Sequence, residues 1–142
     1  MKPYDPQTGN IETVKRMYAL FATNDHEAIR NIFAENITWN QMKGFPGGGQ
    51  YVGADAIFEE VFAGFRKNWA EWKATITRYI DSGDGVVVFG IYEGTYKSTV
   101  KSMKAEFACE YKVKDGKITA FNQFTDTFLI AEAMGLTKEQ KR

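Results

Sequence analysis

Several common chemistries are short of material in this sequence. There is one cysteine, Cys109, in 142 residues, so no intrachain disulfide can form, and a reducing, cytoplasmic setting is expected. There is also one histidine, His26. That excludes the usual multi-histidine metal sites, and it excludes a Ser-His-Asp triad unless His26 is itself the base. Charge of one sign is not in excess: 18 Lys and Arg balance 18 Asp and Glu, with no basic stripe along the chain, which argues against a nucleic-acid partner. No apolar run approaches the ~20 residues that cross a bilayer. The opening MKPYDPQTGN lacks the apolar core of a signal peptide, so no membrane partner is expected.

What the chain does have is apolar and aromatic material, 44% and 15% of its residues, enough for one domain with a real core. Residues 1–9, with Pro3, Pro6 and Gly9, read as a flexible arm. Ile11, Val14, Tyr18 and Phe21 then recur at helical spacing, giving a helix from about Ile11 to Ala22 capped by Thr8 or Asn10. Asp25 is placed to cap a short second helix through Ile29, Ile32 and Phe33. Ile37-Thr38-Trp39 alternates as a first strand. Ile57, Val61, Phe62, Phe65 and Trp69 share a wide apolar face on a third helix, with Phe58 at its edge.

From Trp72 onward the period becomes two. Strands are expected over residues 74–80, 86–95, 104–114 and 117–127, with turns at 81–85 and at Asp115-Gly116. A short helix, Phe128 to Met134, ends at Gly135. Residues 136–142 read as a frayed tail. The Gly-rich segment 44–53 lacks the GxxxxGK[ST] pattern of a phosphate loop and reads as a flexible surface loop near a pocket mouth. Long strands must twist and coil. Helices laid on the concave side of such a sheet leave a cone lined by aromatics, and such a cone is a small-molecule site by default.

Three stretches carry a family resemblance: "YALFATNDHEAIRNIFAENITW" from Tyr18, "GGQYVGADAI" from Gly48, and "DGKITAFNQFTDTFLIAEAMG" from Asp115. On these the chain resembles the SnoaL-like and ketosteroid isomerase-related proteins of the nuclear transport factor 2-like superfamily, from about Ile11 to Gly135. The resemblance implies an α+β fold, a cone-shaped curved antiparallel sheet with three helices on its concave side, known as a cystatin-like α+β barrel. It also implies a homodimer formed through the sheet. It does not fix a reaction, because this fold hosts isomerases, cyclases, dehydratases, hydrolases and binding proteins.

Ketosteroid isomerases use a tyrosine, a protonated aspartic acid and an aspartate base. The matching positions here are Met17 (with Tyr18 beside it), Cys109 and Gln41, so that mechanism is not expected. SnoaL-like cyclases place an acid at the end of the last strand, and the matching residue is Asp126. The aromatic expected four residues earlier is replaced by Asn122. Asp126 is open to two readings: a pocket acid whose apolar setting suits proton transfer, or the N-cap of the last helix. As a pocket acid it would share an inward face with Asn122 and Phe124.

Ile37, Trp39 and Gln41 share the pocket face of the first strand, with Trp39 as wall and Gln41 able to orient a carbonyl or hydroxyl. Cys109 and Tyr111 are less costly to bury than Glu106 and Glu110, so they are expected inward. Cys109 reads as an inert pocket residue, His26 as a solvated helix-terminal residue, and Trp69 and Trp72 as core or dimer face. Tyr18, Phe62 and Phe65 complete the expected substrate contacts. Two functions follow. One is a cofactor-free enzyme using acid/base chemistry on a small apolar oxygenated molecule, with Asp126 catalytic. The other is a non-catalytic ligand-binding or dimerisation domain.

Overall fold

A computed structural model describes residues 6–137. Helix α1, Pro6–Thr23, begins inside the stretch expected to be an arm; α2 is His26–Ile32. Asp25 caps α2 as expected, its carboxylate accepting from the Ala28 amide at 3.1 Å. Strand β1, Phe33–Gln41, is followed by the short β2, Gly49–Val52. The third helix is composite: α3, Ala54–Ala56, runs through a π-helical stretch, Ile57–Phe62, into α4, Ala63–Asn68. The long strands β3 (Trp69–Asp81), β4 (Gly85–Tyr96), β5 (Lys101–Lys114) and β6 (Lys117–Thr125) precede a last helix, α5, Thr127–Ala133.

The six strands form one open, curved sheet in the order β2-β1-β6-β5-β4-β3. The four long strands β3 to β6 pair antiparallel, as expected, and so do β1 and β2, while β1 with β6 is parallel. The β5–β6 turn is the expected tight one: Asp115 and Gly116 both adopt positive φ, 53° and 75°, as a primed two-residue hairpin turn requires. Gly135, φ 75°, ends α5 as expected, its amide bonded to the Glu132 carbonyl.

Curvature comes from bulges. β3 carries one between Ala70 and Lys73 and another between Ile76 and Arg78. An extra residue on one strand bends it and reverses which side chains face inward beyond it. The first bulge, where Glu71 has φ 58°, brings Trp72 to the same side as Trp69. Gly94 on β4 makes room for both: a Cβ there would lie 3.1 Å from each indole.

β6 carries the bulge that matters most for the site. Val113 pairs with Ile118, but Lys112 pairs with Ala120, so Thr119 is the extra residue. Ile118 faces the core; past the bulge, the inward residues are Phe121 and Gln123 rather than Ala120 and Asn122. The concave face is covered by α1, α2 and the composite helix, around a core including Val14, Met17, Ile29, Ile37, Ile57, Val88 and Ile118.

The second half of the Gly-rich segment is β2 itself, and the first half lies in the β1–β2 connection. Its turns are closed by Phe45 N–H to the Met42 carbonyl, 2.9 Å, and Gly48 N–H to the Phe45 carbonyl, 2.8 Å. Phe45 is buried, its ring 5.8–5.9 Å from those of Phe65, Trp72 and Tyr92. The loop is therefore anchored in the core by an aromatic plug. Among the described residues no helix is long and apolar enough to cross a membrane.

Candidate functional site

Between the sheet and the helices lies a cavity of about 490 Å³, within the usual range of small-molecule sites. Its walls are aromatic. β1 supplies Trp39, β4 Tyr92, β5 Tyr111 and β6 Phe121; the helices supply Tyr18, Phe21, Phe62 and Phe65. Asn24, His26, Arg66, Glu71 and Lys73 also line it; Asn24, Arg66, Glu71 and Lys73 are exposed and His26 half-buried, which marks this end as the rim.

Three polar groupings face the interior. The first joins α1 to β5: the hydroxyls of Tyr18 and Tyr111 lie 2.7 Å apart. One donates to the other, so the accepting hydroxyl keeps a hydrogen for another partner. Burial, the dominant effect at each, holds both phenols well above their ordinary pKa of 10.0, so they are proton donors at neutral pH and not bases.

The second is Gln123. Its Oε1 accepts from the Met42 amide at 3.1 Å, and its Nε2 donates to the Tyr92 hydroxyl at 3.0 Å. Both ends of the amide are committed, and they tie the β1–β2 loop to the sheet. Tyr92 is in turn 3.6 Å from Cys109 Sγ. Burial pushes the Cys109 thiol up to about 12, so it carries no nucleophilic thiolate at neutral pH.

The third is Gln41, 4% exposed. The Trp39 indole donates to Gln41 Oε1 at 2.9 Å, which fixes the orientation of the amide. Nε2 is thereby left as a buried donor with no protein partner among the described residues. A buried unpaired donor costs about 1–3 kcal/mol, and native structures seldom carry one without a reason.

Of the expected contacts, Tyr18, Trp39, Gln41, Phe62, Phe65 and Tyr111 are brought together around the cavity. Cys109 faces inward but is not part of the wall; it sits behind Tyr92. Three expectations need correction. Asn122 lies on the outer face, its Oδ1 accepting from Asn40 Nδ2 at 2.6 Å and its Nδ2 donating to Glu110 Oε1 at 3.3 Å. Phe124 is 57% exposed on that same face. Asp126 is exposed and caps α5, accepting from the Leu129 amide at 3.2 Å. Its carboxylate does not line the cavity, so the geometry gives it no part in proton transfer there. The outward faces of Asn122 and Phe124 have one cause, the Thr119 bulge, while Asp126 lies past the end of β6 and is turned to the amides of α5.

Sequence reasoning missed Gln123, Phe121 and Tyr92, and it placed His26 in solvent. His26 lines the rim: its ring stacks on Phe58 at 4.5 Å and 5°, and its Nε2 lies 3.3 Å from Arg66 Nη1. The pairing of Cys109 with Gln123 and of Tyr111 with Phe121 would have found the β6 residues once the bulge was known. No group of acidic, His or Cys residues among those described is arranged to hold a metal ion.

The SnoaL-like domain family matches residues 14–121, most of the chain. The chain belongs to the SnoaL-like family. Solved structures agree on the nuclear transport factor 2-like fold. An NTF2-like protein from Burkholderia thailandensis E264 is 38% identical, with 87% of this chain and 95% of that one covered and a TM-score of 0.83. TerC, co-crystallised with polyporic acid, is 27% identical over 89% and 98% of the two chains, at 0.81. A SnoaL-like polyketide cyclase, so named, from Jannaschia sp. CCS1 shares the fold at 15% identity, 97% and 99% coverage and 0.81. Among curated proteins, none matches the chain by sequence. SnoaL-like folds commonly serve cyclases and isomerases, and this SnoaL-like cavity differs from the sequence expectation in where its polar groups lie.

Proposed function

We propose that this SnoaL-like chain binds a small, largely aromatic molecule through an acceptor oxygen of the carbonyl class. The observation that carries the reading is the Gln41 Nε2 donor, buried at the cavity wall without a protein partner. A ligand oxygen would satisfy it, and the spare hydrogen of the Tyr18–Tyr111 pair offers a second donor. The aromatic walls suit a flat apolar body. The relative TerC, taken with polyporic acid, supports a small organic ligand as the occupant.

Acid/base turnover is the second reading, and the same donor end favours it: donors that hold a carbonyl also hold the oxyanion formed from it. Within the lining the one carboxylate is Glu71, at the rim, so a base for such chemistry would act from the mouth. Binding is the better supported of the two.

Replacing Gln41 with Leu tests the reading. Calorimetric titration with 2-acetylnaphthalene should show binding that Gln41→Leu weakens about 10-fold or more, since one hydrogen bond is lost. Equal affinity in the variant would remove Gln41 from the proposal. The sheet-mediated homodimer stays with this proposal: Phe124 is exposed on the outer face, where half-buried Val87, Phe89 and Ile91 line β4. Light scattering at micromolar protein should give twice the chain mass.

A further inference from the structure

Arg66 stands in the last turn of α4, where a cation commonly does no more than complement the helix dipole. Its contacts point to more. The side chain lines the cavity and reaches across the rim to α2, with Nη1 3.3 Å from His26 Nε2. A guanidinium has only donors, so His26 Nε2 is the acceptor in that contact and Nη1–H the donor. The other guanidinium N–H groups make no side-chain bond among the described residues. The backbone of Arg66 is held independently, its carbonyl accepting from Lys97 Nζ at 3.0 Å.

The other rim charges do not neutralise it. Lys73 is paired with Glu93 at 3.1 Å. Glu71 is the rim carboxylate, carried on the β3 bulge, and the salt bridges of the described residues join neither it nor Arg66 to any partner. His26 is held flat against Phe58. Arg66 is thus a forked cation without a carboxylate, steadied by His26 and placed where a ligand body would leave the cavity. The buried part of the lining offers the Gln41 donor. The two ends together describe an elongated ligand with an uncharged acceptor oxygen inside and an anionic group outside.

We infer that Arg66 is a specificity-determining residue that selects aromatic carboxylic acids, its guanidinium gripping the carboxylate at the rim. This rests on the carbonyl-binding reading of the same cavity. A guanidinium suits the task because its planar fork matches a carboxylate with two parallel N–H bonds.

The test is the ratio of affinities for 6-acetyl-2-naphthoic acid and its methyl ester, measured by calorimetry at low salt. The intact protein should bind the acid about 5-fold more tightly, the upper end expected for a partly exposed charge pair. That preference should shrink as salt is raised. Arg66→Gln should bring the acid down to the level of the ester, while Gln41→Leu should weaken both and leave their ratio unchanged. An acid that binds no better than its ester, or a preference that survives Arg66→Gln, overturns the role of Arg66 and leaves the carbonyl reading standing. Failure of both compounds to bind overturns the two together.

Discussion

The two faces of β6 differ more than adjacent residues of one strand usually do. Phe121 and Gln123 are buried at the cavity, while Asn122 and Phe124, one position on from each, meet solvent or the outer ion pairs. A sequence pattern of period two cannot tell these sets apart, because each contains one phenylalanine and one amide. The difference is decided two residues before Phe121, by Thr119. One extra residue in a ladder thus decides which β6 side chains reach the cavity, and composition along that strand does not.

Removing that residue is the most severe way to break the comparison. Deleting Thr119 would turn Asn122 and Phe124 inward and expose Phe121 and Gln123. The expected outcome, read by chemical denaturation, is a loss of more than about 4 kcal/mol, the range reached only by gross core disruption; a cooperative transition near the parent midpoint would refute the role given to the bulge. Next comes truncation on either face. Ile118→Ala, at a site 0% exposed, should cost about 3 kcal/mol. Phe124→Ala on the outer face should stay within about 0.5 kcal/mol unless dimerisation depends on it, which dilution would reveal.

Alkali sharpens the contrast without any substitution. The phenols of Tyr18, Tyr92 and Tyr111 are held well above 10.0, and the Cys109 thiol moves from 9.0 to about 12, all chiefly by burial. Folded values above unfolded ones mean that the protonated groups contribute their full stability below the unfolded values. That contribution is lost as pH rises above 9 and on through 12. Denaturation midpoints should therefore be insensitive to these groups at neutral pH and fall in alkali, and Cys109→Ala should make the fall shallower. A modest effect belongs to Asp126. Asp126→Ala removes the α5 cap and should cost about 1 kcal/mol with no change in affinity for 2-acetylnaphthalene. A loss of affinity would return that carboxylate to the site.

Much of the fold was legible because local chemistry and global packing agree. The helical spacing of Val14 and Tyr18, the cap at Asp25, the turn at Asp115-Gly116 and the stop at Gly135 each have one short-range cause. The inward faces of β1 and β5 were legible too, since Ile37-Trp39-Gln41 and Cys109-Tyr111 run without interruption. The rest depends on long-range register. The parallel β1–β6 pairing, the anchoring of Phe45 and the rim contact between His26 and Arg66 all join residues distant in sequence. Asp126 satisfied two local patterns at once, and only the path of β6 decides between them.

The bond from the Trp39 indole to Gln41 Oε1 has a consequence for ligand recognition. An amide offers a donor end and an acceptor end, and here the indole occupies the acceptor end. In the proposed binding mode Gln41 therefore meets the ligand as a donor, and a ligand hydroxyl finds no acceptor in this amide. A SnoaL-like chain with phenylalanine at this position would leave the amide free to turn and to meet an alcohol with its carbonyl. Whether Gln41 presents its donor or its acceptor to the cavity thus rests with a wall residue two positions away.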